Sequence, residues 1–355
     1  MSKMEGGDRS VQTATRETGT DSLQAYRMTQ PETASRTTSM ESRQLAQNCT
    51  TLDCGTMEQL YGTKSEVGRP KAETRSESLT PDQEKSGDGK FVSSKVDDKT
   101  QQLLEGKYGV SRETADQARG EINKAGQDPT KVVSDAMKDN RVVAFGESHE
   151  SPNPQRDFLA QSMADLKKAG ATHLAIEAPN TIQPALDEYM KTGKLDPSVL
   201  PGDWNSPDCL KILESARANG LKIQAVDIPH GKAFGSVDRD GAMAENVGNI
   251  LKDDPNNKVV FWAGSQHLNQ SGSKDFPTAA DTLKKQYSMA TINPIYSRGE
   301  GGGGNVLGEV TEGVKAPVAV KGSDAPTFGS LQPFSGQHAR DWDYTIVYPT
   351  PEKKK

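Results

Sequence analysis

Five short apolar runs rich in β-branched residues, alternating with segments of helical spacing, restrict the folds open to this chain more than any other feature. They are Arg141–Phe145, Thr172–Ile176, Leu221–Val226, Lys258–Ala263 and Ser288–Ile295. Apolar strands of this kind, alternating with amphipathic helices, predict an α/β fold: a mainly parallel sheet with helices on both faces. The helical spacing is clear in Pro154–Lys168, where Phe158, Leu159, Met163 and Leu166 share one side and Gly170 marks the stop. Asp208–Asn219 repeats the pattern with Leu210, Ile212, Leu213 and Ala216, stopped by Gly220. Further helices are expected from Ser111, from Pro129, over Ile182–Met190, over Ala242–Leu251 after a loop carrying Arg239, and over Thr278–Gln286. Gly299–Gly304 reads as a flexible insertion, and Asp343–Tyr348 as a closing strand at a sheet edge.

Hydrophobic residues are 32% of the 355 and aromatic residues 5%, low for a chain folded throughout. The deficit lies at the front, where Ser, Thr, Gln, Glu and Gly dominate without apolar period. Residues 1–95 are therefore expected to form a disordered polar arm, and residues 96–355 the α/β domain, with a motif core at 140–295. A Ser/Thr-rich leader of this length is similar in composition to the export regions of bacterial effectors, a linker or regulatory tail being the alternative. No stretch has the length of a membrane span or the apolar centre of a signal peptide. The protein is expected to be cytoplasmic, or to be secreted by another route, such as injection into a host cell. A net charge of -6 argues against nucleic-acid binding. Three cysteines, Cys49 and Cys54 among them in the polar region, make neither a disulfide framework nor a four-cysteine zinc site.

Ligands of open α/β sheets sit at the carboxyl ends of the strands. Glu147 and His149, Glu177, Asp227 and His267 fall at those ends, and two of the runs continue as Gly-x-x-His, at Gly146–His149 and Gly264–His267. Taken singly, each has an ordinary reading: a turn histidine, a loop acid, a capping Asp, a solvated Arg239. Together they would share a low-dielectric cleft, where uncompensated charge is costly and proteins tolerate it mainly at sites. Two imidazoles and two carboxylates suit hydrolysis, either as metal ligands beside a base or as a metal-free acid and base. Ser148 and Ser265 lack the setting of a nucleophile elbow. His173, inside a strand, reads as a packed histidine, and His230 and His338 fall outside the pattern.

The order Gly146-Glu147-Ser148-His149, Glu177 with Pro179, Asp203-Trp204, Asp227-Ile228-Pro229, Arg239 with Met243 and Asn246, then Gly264-Ser265-Gln266-His267 resembles the Tiki/ChaN/erythromycin-esterase superfamily over residues 140–295. The Val-Val-Phe-Trp-Ala-Gly approach to His267 is most similar to the ChaN-like branch. The resemblance implies a hydrolase of ester or peptide bonds, with Glu147 and Glu177 as acid/base carboxylates. It makes His149 and His267 metal ligands or proton carriers, Glu147 a further ligand, and Arg239 the partner of an anionic intermediate or a substrate carboxylate. The implied metal is Mn, Co, Zn or Fe; the alternative is a haem-binding protein without catalysis. The implied partners are a small-molecule or peptide substrate and, for an effector, a host protein. Residues 1–95 and 296–342 lie beyond the resemblance.

Overall fold

The computed structural model describes residues 90–149, 154–229, 239–297, 305–333 and 337–349. The expected arm up to residue 89, the insertion at 299–304 and His230 lie outside the described residues. Three helices precede the first strand: α1 (Asp98–Tyr108), α2 (Arg112–Ala125) and α3 (Pro129–Asp139). Asp97, Ser111 and Asp128 cap them, each side chain accepting from backbone N–H groups of the first turn that have no partner within the helix. The expected alternation follows: β1 (Val142–Glu147), α4 (Pro154–Lys168), β2 (His173–Pro179), α5 (Gln183–Thr192), α6 (Pro207–Ala218) and β3 (Lys222–Asp227). It continues with α7 (Arg239–Asp253), β4 (Val259–Gly264), the one-turn α8 (Ser265–Leu268), α9 (Ala279–Lys284) and β5 (Met289–Tyr296). Then come α10 (Val306–Val310), β6 (Val318–Lys321), α11 (Pro326–Ser330) and β7 (Tyr344–Tyr348).

The strands form one sheet in the order β3-β2-β4-β1-β5-β7-β6, parallel except for β6. Two details differ from the sequence expectation. The closing strand β7 is interior, parallel to β5, while the antiparallel β6 takes the edge. At four residues, β6 is too short to show a period. Helix α7 begins at Arg239 itself, so that side chain leaves from a helix terminus and not from a loop. Ahead of α1, Phe91 and Val92 are buried and their N–H groups both donate to Asn123 Oδ1.

Alternation along the strands sends successive side chains to opposite faces. Val143, Phe145, Leu174, Ile176, Val260 and Trp262 join a core with α3, α4 and α6, through residues such as Val133, Leu159 and Ile212. Val142, Ala144, Ala175, Val259 and Phe261 point the other way, onto Val247 of α7 and Leu283 of α9. A third cluster lies over β6 and β7, where Val318 and Val347 meet Leu104, Ile122, Leu307 and Phe328.

Strand β4 is inserted between β1 and β2, with Glu147 in register with Gly264 and Ile176 with Trp262. This topology brings the carboxyl ends of β3, β2, β4 and β1 side by side. At that end β1 passes close under Trp342: a Cβ on Gly146 would stand 2.4 Å from the ring's Cη2. Trp342 is itself buried, with no room to retreat. Gly146→Ala is therefore expected to destabilise the domain by about 1–3 kcal/mol, the range for overpacking a filled core, as read by denaturant melts.

Candidate functional site

Glu147, the last residue of β1, is buried and fully occupied by donors. Arg156, in the first turns of α4, grips it with a two-point fork, Nε to Oε2 at 2.8 Å and Nη2 to Oε1 at 3.0 Å. Trp262 Nε1 donates to Oε2 at 2.7 Å, and His149 Nδ1 lies 3.0 Å from Oε1. The remaining nitrogen of Arg156 reaches Ser206 Oγ at 3.2 Å and Asp208 at 3.4 Å. The hydrogen bond to Glu147 raises the pKa of His149 above its ordinary 6.5; burial opposes this, and the charges of Glu177 and Glu147 add to it. The His149 side chain is 51% exposed, and its Nε2 stands 3.7 Å from Glu177 Oε2.

The second half of the site is built the same way. Arg239, at the start of α7, forks onto Asp227 at the end of β3, with Nε to Oδ1 at 2.9 Å and Nη2 to Oδ2 at 2.6 Å. Its Nη2 also donates to Glu177 Oε1, and its Nη1 lies 3.2 Å from His267 Nε2. Glu177 accepts from the Gly264 backbone N–H at 2.6 Å, an approach open because residue 264 has no side chain. A Cβ there would stand 2.9 Å from His149 Nε2 and 3.3 Å from Glu177 Oε2. Burial pushes the Glu177 carboxyl up, but His267, by hydrogen bond and charge, together with the Gly264 N–H and Arg239, outweighs it and holds the pKa at about 2.

His267 is held between two acids, Nδ1 at 3.0 Å from Asp240 Oδ1 and Nε2 at 3.4 Å from Glu177 Oε1. Neutral, with Nδ1–H on Asp240, its Nε2 accepts from Arg239; protonated, it donates to both carboxylates. Burial lowers its pKa, but the hydrogen bonds to Asp240 and Glu177 and their charges raise it to about 9. Asn246 ties α7 to the end of β3 by donating to the Val226 carbonyl at 2.8 Å. His149, Arg156, Glu177, Arg239, Pro201, Gly202 and Trp204 enclose a cleft of about 400 Å³. Trp204 stands edge-on to Trp262, with ring centres 4.6 Å apart.

All five candidates, Glu147, His149, Glu177, Arg239 and His267, thus meet at one place, joined by Asp227. His173 is packed away from it with Nδ1 on Thr172, and His338 lies elsewhere, held by Ser330 and Gln332. Sequence reasoning missed Arg156, Asp208, Asp240 and the polar role of Trp262. The signal for Arg156 was present: it shares the inward stripe with Leu159, Met163 and Leu166, where a charge needs a buried partner. Asp240 stands three residues before the buried Met243, but it fell ahead of the expected helix.

The carboxylates do not fit a divalent metal. The space between Glu177, Asp227 and His267, where a cation would sit, holds the guanidinium of Arg239, and Arg156 occupies both oxygens of Glu147. Among the described residues no group of three or more His, Cys, Asp or Glu side chains is arranged to hold one. Haem fits little better: among the described residues His149 is the histidine that lines the cleft, and its Nε2 faces the Glu177 carboxylate at 3.7 Å.

No family model matches the chain. It is 28% identical over 142 residues to a multifunctional-autoprocessing repeats-in-toxin protein of Vibrio vulnificus, a match covering 37% of this chain and 3% of that much longer protein. Its fold is similar to that of a Bacillus cereus protein of known structure, with a TM-score of 0.50 at 12% identity over 66% of this chain and 97% of the other. ChaN of Campylobacter jejuni, solved with cofacial haem, gives a TM-score of 0.41 at 12% identity over 62% of this chain and 92% of that one. Identities this low speak to the fold alone, and of these two structures only the first has a TM-score high enough for that. No described helix is long and apolar enough to cross a membrane.

The paired charges give the site a pH signature. His267, raised to about 9 from 6.5, contributes stability that is full below 6.5 and lost as pH rises through 9. Glu177, lowered to about 2 from 4.5, contributes stability present above 4.5 and lost as pH falls through 2. Denaturant melts across this range should peak between 4.5 and 6.5, and His267→Gln should flatten the alkaline limb.

Proposed function

We propose that this domain is a metal-independent hydrolase of peptide or ester bonds, with His149 as the base, working as the effector part of a toxin-like protein. One observation carries this reading: a buried carboxylate holds Nδ1 of His149 while Nε2 faces the cleft, 3.7 Å from Glu177. With its proton on Nδ1, the ring presents Nε2 as an acceptor. Glu147 itself is a poor base because both its oxygens are committed to Arg156, and Glu177 is a poor one because its pKa is about 2. Their parts are to orient and to hold charge.

In the proposed reaction His149 Nε2 takes a proton from a water whose oxygen attacks the substrate carbonyl carbon. The negative oxygen that forms faces Arg239, which lines the cleft and is held in place before the reaction by Asp227 and Glu177. As the tetrahedral centre collapses, the C–N or C–O bond breaks and His149 returns the proton to the leaving atom. Ionised Glu177 accepts from the water's second hydrogen. The likeness to the Vibrio vulnificus toxin supports a target inside a host cell.

The test incubates the purified protein with a host-cell extract and labels new protein amino termini, and runs a panel of activated esters in parallel. Wild type should generate His149-dependent products in one arm, and His149→Ala or Arg239→Ala should lower the rate by ~10²–10⁴-fold, the range for removing a general base or a charge-stabilising donor. Identical products from wild type and variants in both arms would sink the proposal. Elemental analysis should find no stoichiometric Mn, Co, Zn or Fe, and chelator treatment should leave the rate unchanged; loss of activity on chelation, restored by one of these metals, would overturn the metal-free mechanism.

A further inference from the structure

We infer that Arg156 is a positioning residue that locks the base and the substrate-facing wall of the cleft into one rigid unit. The inference rests on the proposed role of His149 and deepens it. One guanidinium, 2% exposed, makes both connections. Its Nε and Nη2 hold the two oxygens of Glu147, which hold Nδ1 of His149. Its Nη1 holds Ser206 and Asp208, at the end of the segment that supplies Pro201, Gly202 and Trp204 to the cleft. Asp208 in turn accepts from the Cys209 backbone N–H at 3.1 Å.

Trp262 closes the loop between the two halves. Its indole N–H donates to Glu147, and its ring meets Trp204 edge-on at 4.6 Å. Arg156 of α4 and Trp262 of β4 thus tie one carboxylate to one wall, and neither can shift without the other. A guanidinium can do this because its five N–H donors lie in a rigid plane; a lysine ammonium, a point charge on a flexible stem, cannot span Glu147 and Asp208 together. The fork also fixes the plane of the Glu147 carboxylate so that Oε1, shared with Arg156 Nη2, accepts Nδ1–H of His149, which selects the ring tautomer with Nε2 unprotonated.

Two spectroscopic readouts test this without turnover. Ring-nitrogen NMR at a pH where His149 is neutral reports its tautomer, and fluorotryptophan NMR, assigned with Trp204→Phe, reports the wall. Wild type should show His149 as the Nδ1–H form. Arg156→Lys should lose that form in favour of Nε2–H and shift the Trp204 resonance. Asp208→Asn, which leaves every contact of Glu147 intact, should shift Trp204 while His149 stays Nδ1–H. A folded Arg156→Lys with an unchanged His149 overturns the inference, as does an Asp208→Asn with an unmoved Trp204. Should Arg156→Lys fail to fold, Asp208→Asn decides alone: a shifted Trp204 with His149 unchanged supports the coupling, and any other pattern overturns it. A wild type with the expected ring pattern but no hydrolysis overturns the proposed function and not the positioning role.

Discussion

Four buried carboxylates, Glu147, Glu177, Asp208 and Asp227, crowd the carboxyl edge of one sheet, and two guanidiniums make that arrangement tenable. Each arginine bridges two acids: Arg156 joins Glu147 to Asp208, and Arg239 joins Glu177 to Asp227. The two come from opposite sides of the sheet, Arg156 from a helix packed on one face and Arg239 from a helix on the other. Removing either would leave acids buried and unpaired, at a cost of about 3–5 kcal/mol. Two negative charges remain uncompensated within the four. The imidazoles of His149 and His267 stand beside them and are pushed toward their protonated forms, His149 chiefly by Glu147 and His267 by Asp240 and Glu177.

The same pairing separates metal-assisted from metal-free chemistry. A metalloenzyme leaves its acids open to the cation, whereas here the forks fill the acids' lone pairs and the guanidiniums stand where the cation would. In the proposed reaction, a fixed cationic donor aimed at the developing oxyanion would do part of a Lewis acid's work in a site that needs no reorganisation. Glycine at 264 completes the arrangement, putting a backbone N–H against Glu177 where any side chain would collide with His149.

Much of this is legible in the chain. The five apolar runs appear as five of the seven strands, and the positions of Glu147, His149, Glu177, Asp227 and His267 after them suffice to gather a site. The order of strands is less legible, because β4 enters between β1 and β2 by matching apolar register over a long separation, which no local period encodes. Arg156 was not singled out, although it shares the inward stripe of its helix, because its partners come from β1 and α6, distant in the sequence. Asp240 was hidden by a helix boundary placed too late. The interior place of β7 escaped because its neighbour β6 is a four-residue strand in a segment without motif.

The insertion of β4 also governs how the domain comes together in time. Trp262 and Glu147, bonded at the centre of the site, are 115 residues apart in sequence. Helices and the β2/β3 pair form from nearer contacts, but the central β1/β4 pairing must wait for a long loop to close, and parallel pairings of this range are slow. Until then the acids of β1 and β2 remain hydrated and apart. The candidate site is therefore assembled only by this late, non-local step of folding, and its paired charges come together last.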